Sequence, residues 1–206
     1  MRVPTRLSTF HPMLHLRIRA SLLLLAALLS ACASEPNASQ SVFVGSTSDG
    51  DVLVASVWEE DRVIVYSCGV GDTLDTDTAW LVTTPVNRSI EATEGSFSVV
   101  ATREANMVRG TFESQTGTGA LDLRAVTSLE DAGFFVTNEG SCRTAAVAFR
   151  RDGVMLVQGA HFCDAEGPFS QVTPVLPPEL LGNSLLVQFD TGSGLRQLAL
   201  ERVNGI

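Results

Sequence analysis

The sequence predicts an all-β fold, an antiparallel, hairpin-rich barrel or two-sheet sandwich of roughly ten to twelve strands with almost no helix. Three observations predict it. From Ser41 onward, apolar residues fall in short alternating runs, broken at intervals of about 8–12 residues by clusters of Gly, Asp, Asn or Glu. An Asp152-Gly153 pair separates AAVAFRR from VMLVQGA, and a type I′ hairpin turn needs positive φ at both central residues. Apolar residues make up 45% of the 206 and charged residues only 18%, which excludes a disordered chain.

Taken in order, strands are expected near 42–47, 51–58, 62–68, 79–84, 95–102, 106–113, 119–126, 132–137, 142–151, 154–163, 184–190 and 195–203. Hairpin turns are expected at Glu59-Glu60-Asp61, Glu104-Ala105, Asp152-Gly153 and Thr191-Gly192-Ser193. Helix is confined to single turns near 128–132 and 177–182. A chain of about 165 residues can bury roughly 70% of its unfolded surface in one core. Residues 41–206 therefore read as one domain, with two subdomains meeting near 127–131 as the alternative. SVVATREANMVRGTF (98–112) and AVAFRRDGVMLVQGAHF (146–162) echo each other: strand, tight turn, strand, then Val-x-Gly and an aromatic. With Tyr66-Ser67-Cys68-Gly69, Ala79-Trp80-Leu81 and Leu121-Asp122-Leu123, these hairpins resemble secreted bacterial β-domains, a likeness that implies no activity.

The first 32 residues read as a targeting segment. Arginines within the first nineteen residues are followed by the apolar run Leu22–Leu29, too short to cross a ~30 Å hydrocarbon core as a helix. Leu29-Ser30-Ala31-Cys32 comes next and resembles the lipobox of bacterial lipoproteins. That resemblance implies cleavage before Cys32, a diacylglycerol on its thiol and an acyl chain such as palmitate on its new amine. Several acyl chains, at ~0.8 kcal/mol per buried CH₂, anchor stably where one chain does not. Ala33, rather than Asp, after the cysteine implies the outer membrane of a two-membrane envelope, with the domain facing periplasm or exterior. An ordinary secretory signal cut near Ala33, or a signal anchor, is the alternative, and Met13 is a second candidate start. Residues 33–40 form a short tether, so the expected organisation is signal peptide 1–31, lipidated cysteine and tether 32–40, and β-domain 41–206.

Charge sharpens this division. All 14 cations are arginine, and Arg2, Arg6, Arg17 and Arg19 precede Cys32 while all 23 acids follow it. Residues 33–206 thus carry ten Arg against 23 acids, a formal charge of −13 where the whole chain carries −9. Such a balance excludes general nucleic-acid binding and polybasic attachment to anionic lipid.

Cys68, Cys142 and Cys163 remain for an oxidising compartment. In a two-residue hairpin with Asp152-Gly153 at its tip, opposed residues sum to 305, as 142 and 163 do. Counting outward from Arg151/Val154 places the cysteines on a non-hydrogen-bonded pair, where Cα atoms lie ~4.5 Å apart, within disulfide reach. A Cys142–Cys163 disulfide is the expectation, unless a bulge at Gly159 shifts the register; Cys68 reads as a buried small hydrophobe.

Other motifs resolve to bland readings. Val187-Gln188-Phe189-Asp190-Thr191-Gly192-Ser193-Gly194 resembles the Asp-Thr-Gly-Ser signature of pepsin-like aspartic proteases. No second Asp-Thr/Ser-Gly exists and only 16 residues follow Asp190, so a hairpin turn is expected. His161 shares a strand face with Cys163, and approach of Cys68 would complete a Cys/His dyad; a half-exposed strand histidine is the expectation. With one histidine in the mature segment, zinc is not expected. Asp72, Asp75 and Asp77 offer hard oxygen ligands, a weak calcium candidate without the EF-hand glycine and glutamate. The sequence thus reads as a lipid-anchored envelope protein, non-catalytic, binding an unknown envelope protein, glycan or small ligand. The alternative is a structural accessory of an envelope complex, ahead of a hydrolase or hydrolase inhibitor.

Overall fold

The computed structural model describes residues 40–128, 130–163, 168–176, 178, 180–181 and 183–204. Cys32, its lipobox and most of the tether lie outside them. Ala38–Ile206 forms one compact unit. It is all-β, with fifteen strands among the described residues: β1 (Ser41–Thr47), β2 (Leu53–Trp58), β3 (Val63–Cys68), β4 (Ala79–Thr83), β5 (Ser89–Glu94), β6 (Phe97–Glu104), β7 (Met107–Glu113), β8 (Thr118–Ala125), β9 (Ala132–Glu139), β10 (Cys142–Arg151), β11 (Val154–Cys163), β12 (Ser170–Pro174), β13 (Leu180–Leu181), β14 (Ser184–Asp190) and β15 (Leu195–Arg202).

The strands build two barrels. In the first, β1–β4 meander outward and β5–β8 meander back, so that β8 pairs with β1 and all eight strands form one antiparallel sheet. Only the seam between β4 and β5 lacks a ladder; there the Thr83 hydroxyl donates to the Glu91 carbonyl at 3.3 Å. In the second, β9–β12, β14 and β15 form a closed ring of six strands. Thr173 and Pro174 of β12 pair with Gln188 and Val187 of β14, and β15 returns to β9 through Glu201↔Val136 and Arg202↔Phe135. β13 flanks β14. Membership changes between Ala125 and Ala132.

Periodicity explains which strands lie where. β6, β7 and β8 alternate buried and exposed residues, and their inward side chains, Val99, Ala101, Val108, Phe112, Leu121 and Leu123, fill the first barrel with Phe43, Val54, Trp58 and Val65. Solvent covers their other face. β2 is buried at all six positions, LVASVW, and β10 over Thr144–Ala148. Such continuous runs are what strands covered on both faces require. The outward face of β1–β3 (Val42, Val44, Leu53, Ala55, Val57, Tyr66) meets the outward face of the second barrel (Phe134, Ala145, Val147, Ala160) in one cluster. Alternate residues of those strands point into the second barrel, where Phe135, Ala146, Ala148, Val172, Leu185, Val187, Phe189 and Leu200 pack. Ala146 and Ala148, set among these larger residues, suit the narrow bore of six strands.

Tyr66 locks the two barrels together. Its hydroxyl donates to the Ala145 carbonyl at 3.2 Å and accepts from the Ala160 N–H at 3.0 Å. Those residues are directly opposed in the β10–β11 pair, so a side chain of the first barrel satisfies a cross-strand position of the second. The Tyr66, Trp80 and Phe134 rings cluster with centroids 5.4–5.8 Å apart, and the Arg143 guanidinium lies 4.1 Å over Trp80.

All twelve expected strands are present, and β5, β12 and β13 join them. The Asp152-Gly153 turn is present with φ of 53° and 81°. The turn expected at Glu104-Ala105 moves one residue, because Glu104 pairs with Met107 and leaves Ala105-Asn106 at the tip. The helical turns expected at 128–132 and 177–182 are corrected: Glu130 and Asp131 form a non-helical turn before β9, and the described Leu180–Leu181 is strand. Helix lies instead at Gly71–Thr73, a 3₁₀ turn, and at α1 (Leu74–Asp77), the stretch that carries Asp72, Asp75 and Asp77. In the two echoing hairpins, Gly110 opposes Ala101 and Gly159 opposes Ala146. A Cβ on Gly110 would clash with the Val100 carbonyl oxygen and one on Gly159 with the Ala145 carbonyl oxygen, so glycine permits the close approach. Gly159 therefore sits in an unbroken register of ten pairs and not in a bulge.

Candidate functional site

Two places gather polar chemistry. The first is a cleft of about 780 Å³ where the barrels part beside the 126–131 connection. One wall is β1 and β8, with Ser46, Asp122 and Arg124; the other is the β10 end, with Phe149, Arg150 and Arg151. The strand geometry arms this second wall: Arg150 and Arg151 immediately precede the Asp152-Gly153 turn and project from a hairpin tip. Arg150 is held by Asp131 at 3.2 Å and by the Gly153 carbonyl at 3.0 Å. Arg151 reaches over the β1–β2 turn, since a Cβ on Gly50 would lie 3.0 Å from its Nη1. The side chains of Arg124 and Arg151 are exposed and make no hydrogen bond or ion pair among the described residues. Two free guanidiniums thus face an open cleft in an acidic protein, offering forked donors for a carboxylate. Sequence reading missed this group; the adjacent Arg150-Arg151 at a predicted tip was the available signal.

The second place is one end of the six-stranded barrel. Cys142 and Cys163 are directly opposed and joined by a disulfide, with Cα atoms 3.9 Å apart. Cys142, Thr144, His161 and Cys163 occupy the inward face. The His161 Nδ1 lies 2.8 Å from the Thr144 hydroxyl, its Nε2 lies 3.6 Å from the Cys163 sulfur, and its ring stacks on Phe189 at 4.2 Å. Burial first, and the Arg196 cation second, hold the His161 pKa below its usual value, with Glu139 opposing them. Glu139 and Arg196 themselves form an ion pair at 2.8 Å.

Cys68 lies elsewhere. It is fully buried in the core shared by the barrels, with Ala145 and Ala160, on the other side of β11 from the His161 ring. Burial pushes its thiol pKa up to about 11, and burial likewise raises that of Tyr66, helped by Cys68. The Cys68/His161 dyad is therefore not assembled.

Asp190 caps the β14–β15 turn by accepting from the Gly192 N–H at 2.8 Å, while the Thr191 hydroxyl donates to the Gly194 carbonyl at 3.0 Å. The protease-like motif is a turn. Asp72, Asp75 and Asp77 do not converge. Asp75 accepts from the Phe169 N–H at 3.2 Å, and Asp77, 2% exposed, accepts from the Thr116 hydroxyl at 2.7 and 2.8 Å. Among the described residues, the group bringing three metal-ligand atoms within 4.8 Å of one another is Cys142, His161 and Cys163. No described helix is long and apolar enough to cross a membrane.

No family model matches the chain, and no curated protein matches it. Two solved structures are similar over part of their length. One is oligopeptidase B from Trypanosoma brucei in a closed form with covalently bound antipain, at 14% identity and TM-score 0.23, covering 84% of this chain and 29% of that one. The other is the DNA polymerase III subunit beta from Pseudomonas aeruginosa, at 10% identity and TM-score 0.14, covering 91% of this chain and 64% of that one. The chain spans less than two thirds of the length of either, and at these scores neither likeness bears on function.

Proposed function

We propose that this chain is a lipid-anchored bacterial envelope protein whose β-domain acts by binding, and that its binding surface is the cleft between the barrels. The observation that carries this reading is the pair of free guanidiniums, Arg124 and Arg151, facing that cleft. Their chemistry suits a polar ligand bearing a carboxylate. Both barrel interiors are packed with side chains, which disfavours an apolar ligand held inside a barrel. Sheet edges are scarce as well, because the smaller barrel is closed and the larger one lacks a ladder at a single seam, so strand addition has little to act on. The non-catalytic reading is supported by the occupied state of each reactive group: Cys68 is buried, Cys163 is bonded and Asp190 caps a turn. The lipobox at Cys32 supplies the anchor.

Fractionation and crosslinking of intact envelopes test both halves. Cys32→Ser is expected to leave the membrane fraction, and Arg124→Glu with Arg151→Glu to stay anchored and folded while losing the crosslinked partner of the wild type. Retention of Cys32→Ser on the membrane refutes the anchor, and retention of the partner by the arginine variant refutes the cleft.

A further inference from the structure

We propose that reduction of the Cys142–Cys163 disulfide turns the end of the six-stranded barrel into a Cys₂His site for one zinc ion, so that this end is stapled by a disulfide when oxidised and by a metal when reduced. The two cysteines and His161 project from facing positions of β10 and β11 onto one face, and their ligand atoms already lie within 4.8 Å of one another. A tetrahedral zinc with Zn–S of ~2.3 Å and Zn–N of ~2.0–2.1 Å sets the S···N edge at about 3.6 Å. The Cys163 sulfur and the His161 Nε2 stand 3.6 Å apart.

The histidine is oriented for the task. The Nδ1 lies 2.8 Å from the Thr144 hydroxyl, and in the tautomer whose Nδ1–H donates to that hydroxyl the lone pair is on Nε2 and faces the sulfur. Outer-sphere hydrogen bonds of this kind fix tautomer and ring direction in metal sites, and Phe189, stacked at 4.2 Å, fixes the ring plane. Cys142, His161 and Cys163 are each partly exposed, so an ion can enter and water can take the fourth position. In the same tetrahedron the S···S edge is about 3.8 Å, which two freed cross-strand thiols reach by side-chain rotation.

The chemistry balances with a dithiol as reductant, of the kind a thiol–disulfide oxidoreductase carries. Its two thiols supply two electrons and two protons; the S–S bond breaks to two cysteine thiols, and the reductant leaves as a disulfide. Zinc then displaces one proton from each cysteine and binds the two thiolates. While the disulfide is intact neither thiolate exists and His161 alone does not hold the ion.

The test uses the full chain in detergent, reduced with a dithiol, desalted without oxygen and titrated with Co²⁺ and then Zn²⁺. One Co²⁺ per chain, with sulfur-to-cobalt charge-transfer absorption and tetrahedral d–d bands, displacement by Zn²⁺, release of two protons and no binding by the oxidised chain support the proposal. His161→Gln keeps both cysteines and is expected to weaken binding by about 100-fold or more. Equal binding by oxidised and reduced chains, unchanged affinity in His161→Gln, no binding by the reduced chain, or binding only with loss of the β-sheet circular dichroism would each overturn it.

Discussion

The two barrels differ most in how they close. The eight-stranded one has a filled bore and still leaves β4 and β5 unladdered, whereas the six-stranded one completes its ring through the β12–β14 pair and carries a disulfide at its end. The larger ring holds Phe43, Trp58 and Phe112 inside; the smaller is lined by Ala146 and Ala148 beside its larger residues. Fewer strands leave less room, and a narrow ring depends more on exact register. The open barrel relies on bulk apolar packing, the closed one on a staple and a polar insertion from its neighbour.

The largest effect that breaks this contrast is expected in the shared core, where it disappears. Phe134→Ala deletes a ring packed against Tyr66 and Trp80, and is expected to cost about 3–5 kcal/mol in urea unfolding. Tryptophan fluorescence, which reports on the first barrel, and sheet circular dichroism should shift together. Next comes the staple: replacing both Cys142 and Cys163 by Ser should cost about 3 kcal/mol, with hydrogen exchange rising first in β10 and β11. Tyr66→Phe is smaller, about 0.5–1.5 kcal/mol, because it removes the hydroxyl's bonds to the Ala145 carbonyl and Ala160 N–H while keeping the ring and the hydrogen-bonded Ala145/Ala160 pair of the β10–β11 ladder. An unchanged midpoint in that variant would contradict the role of the hydroxyl in locking the barrels together.

The smallest effect is pH-dependent and confined to the closed barrel. His161 has a folded pKa held below its usual value, mainly by burial and then by Arg196, with Glu139 opposing. The fold therefore prefers the neutral ring. Its contribution is present above the unfolded value of about 6.5 and is lost as pH falls through the folded pKa. Urea midpoints should drop on acidification from neutral, and His161→Gln should flatten that part of the profile. A wild-type profile parallel to that of His161→Gln would contradict the assignment.

Much of this architecture was legible. The run Leu53–Trp58 and the stretch Thr144–Ala148 lack alternation because both of their faces are covered, and the Asp152-Gly153 tip set the Cys142/Cys163 register correctly. β5 escaped notice because Ile90 is its single fully buried residue, although the Gly95-Ser96 pair between Glu94 and Phe97 is a hairpin signal. β12 was hidden by Pro174, tolerated where its ring closure is short. Of the cleft, the Arg150-Arg151 pair at the hairpin tip was the one legible part. Arg124 and Arg151 are 27 positions apart in sequence, and what aligns them is the packing of two barrels, a contact that no local pattern encodes. His161 beside a disulfide was visible as a shared strand face, but its approach to both sulfurs depends on the ring stacking against Phe189 from a distant strand.

The central claim, that binding occurs where the barrels part, is tested most directly by site-specific photocrosslinking in intact envelopes. A photoreactive residue at Ser46, in the cleft wall, is compared with one at Val82, an exposed position on β4 beside the open seam. A discrete crosslinked partner is expected from position 46, lost when Arg124 and Arg151 are changed to Glu, and none from position 82. Crosslinking from position 82 alone would contradict it and move the binding surface to the seam.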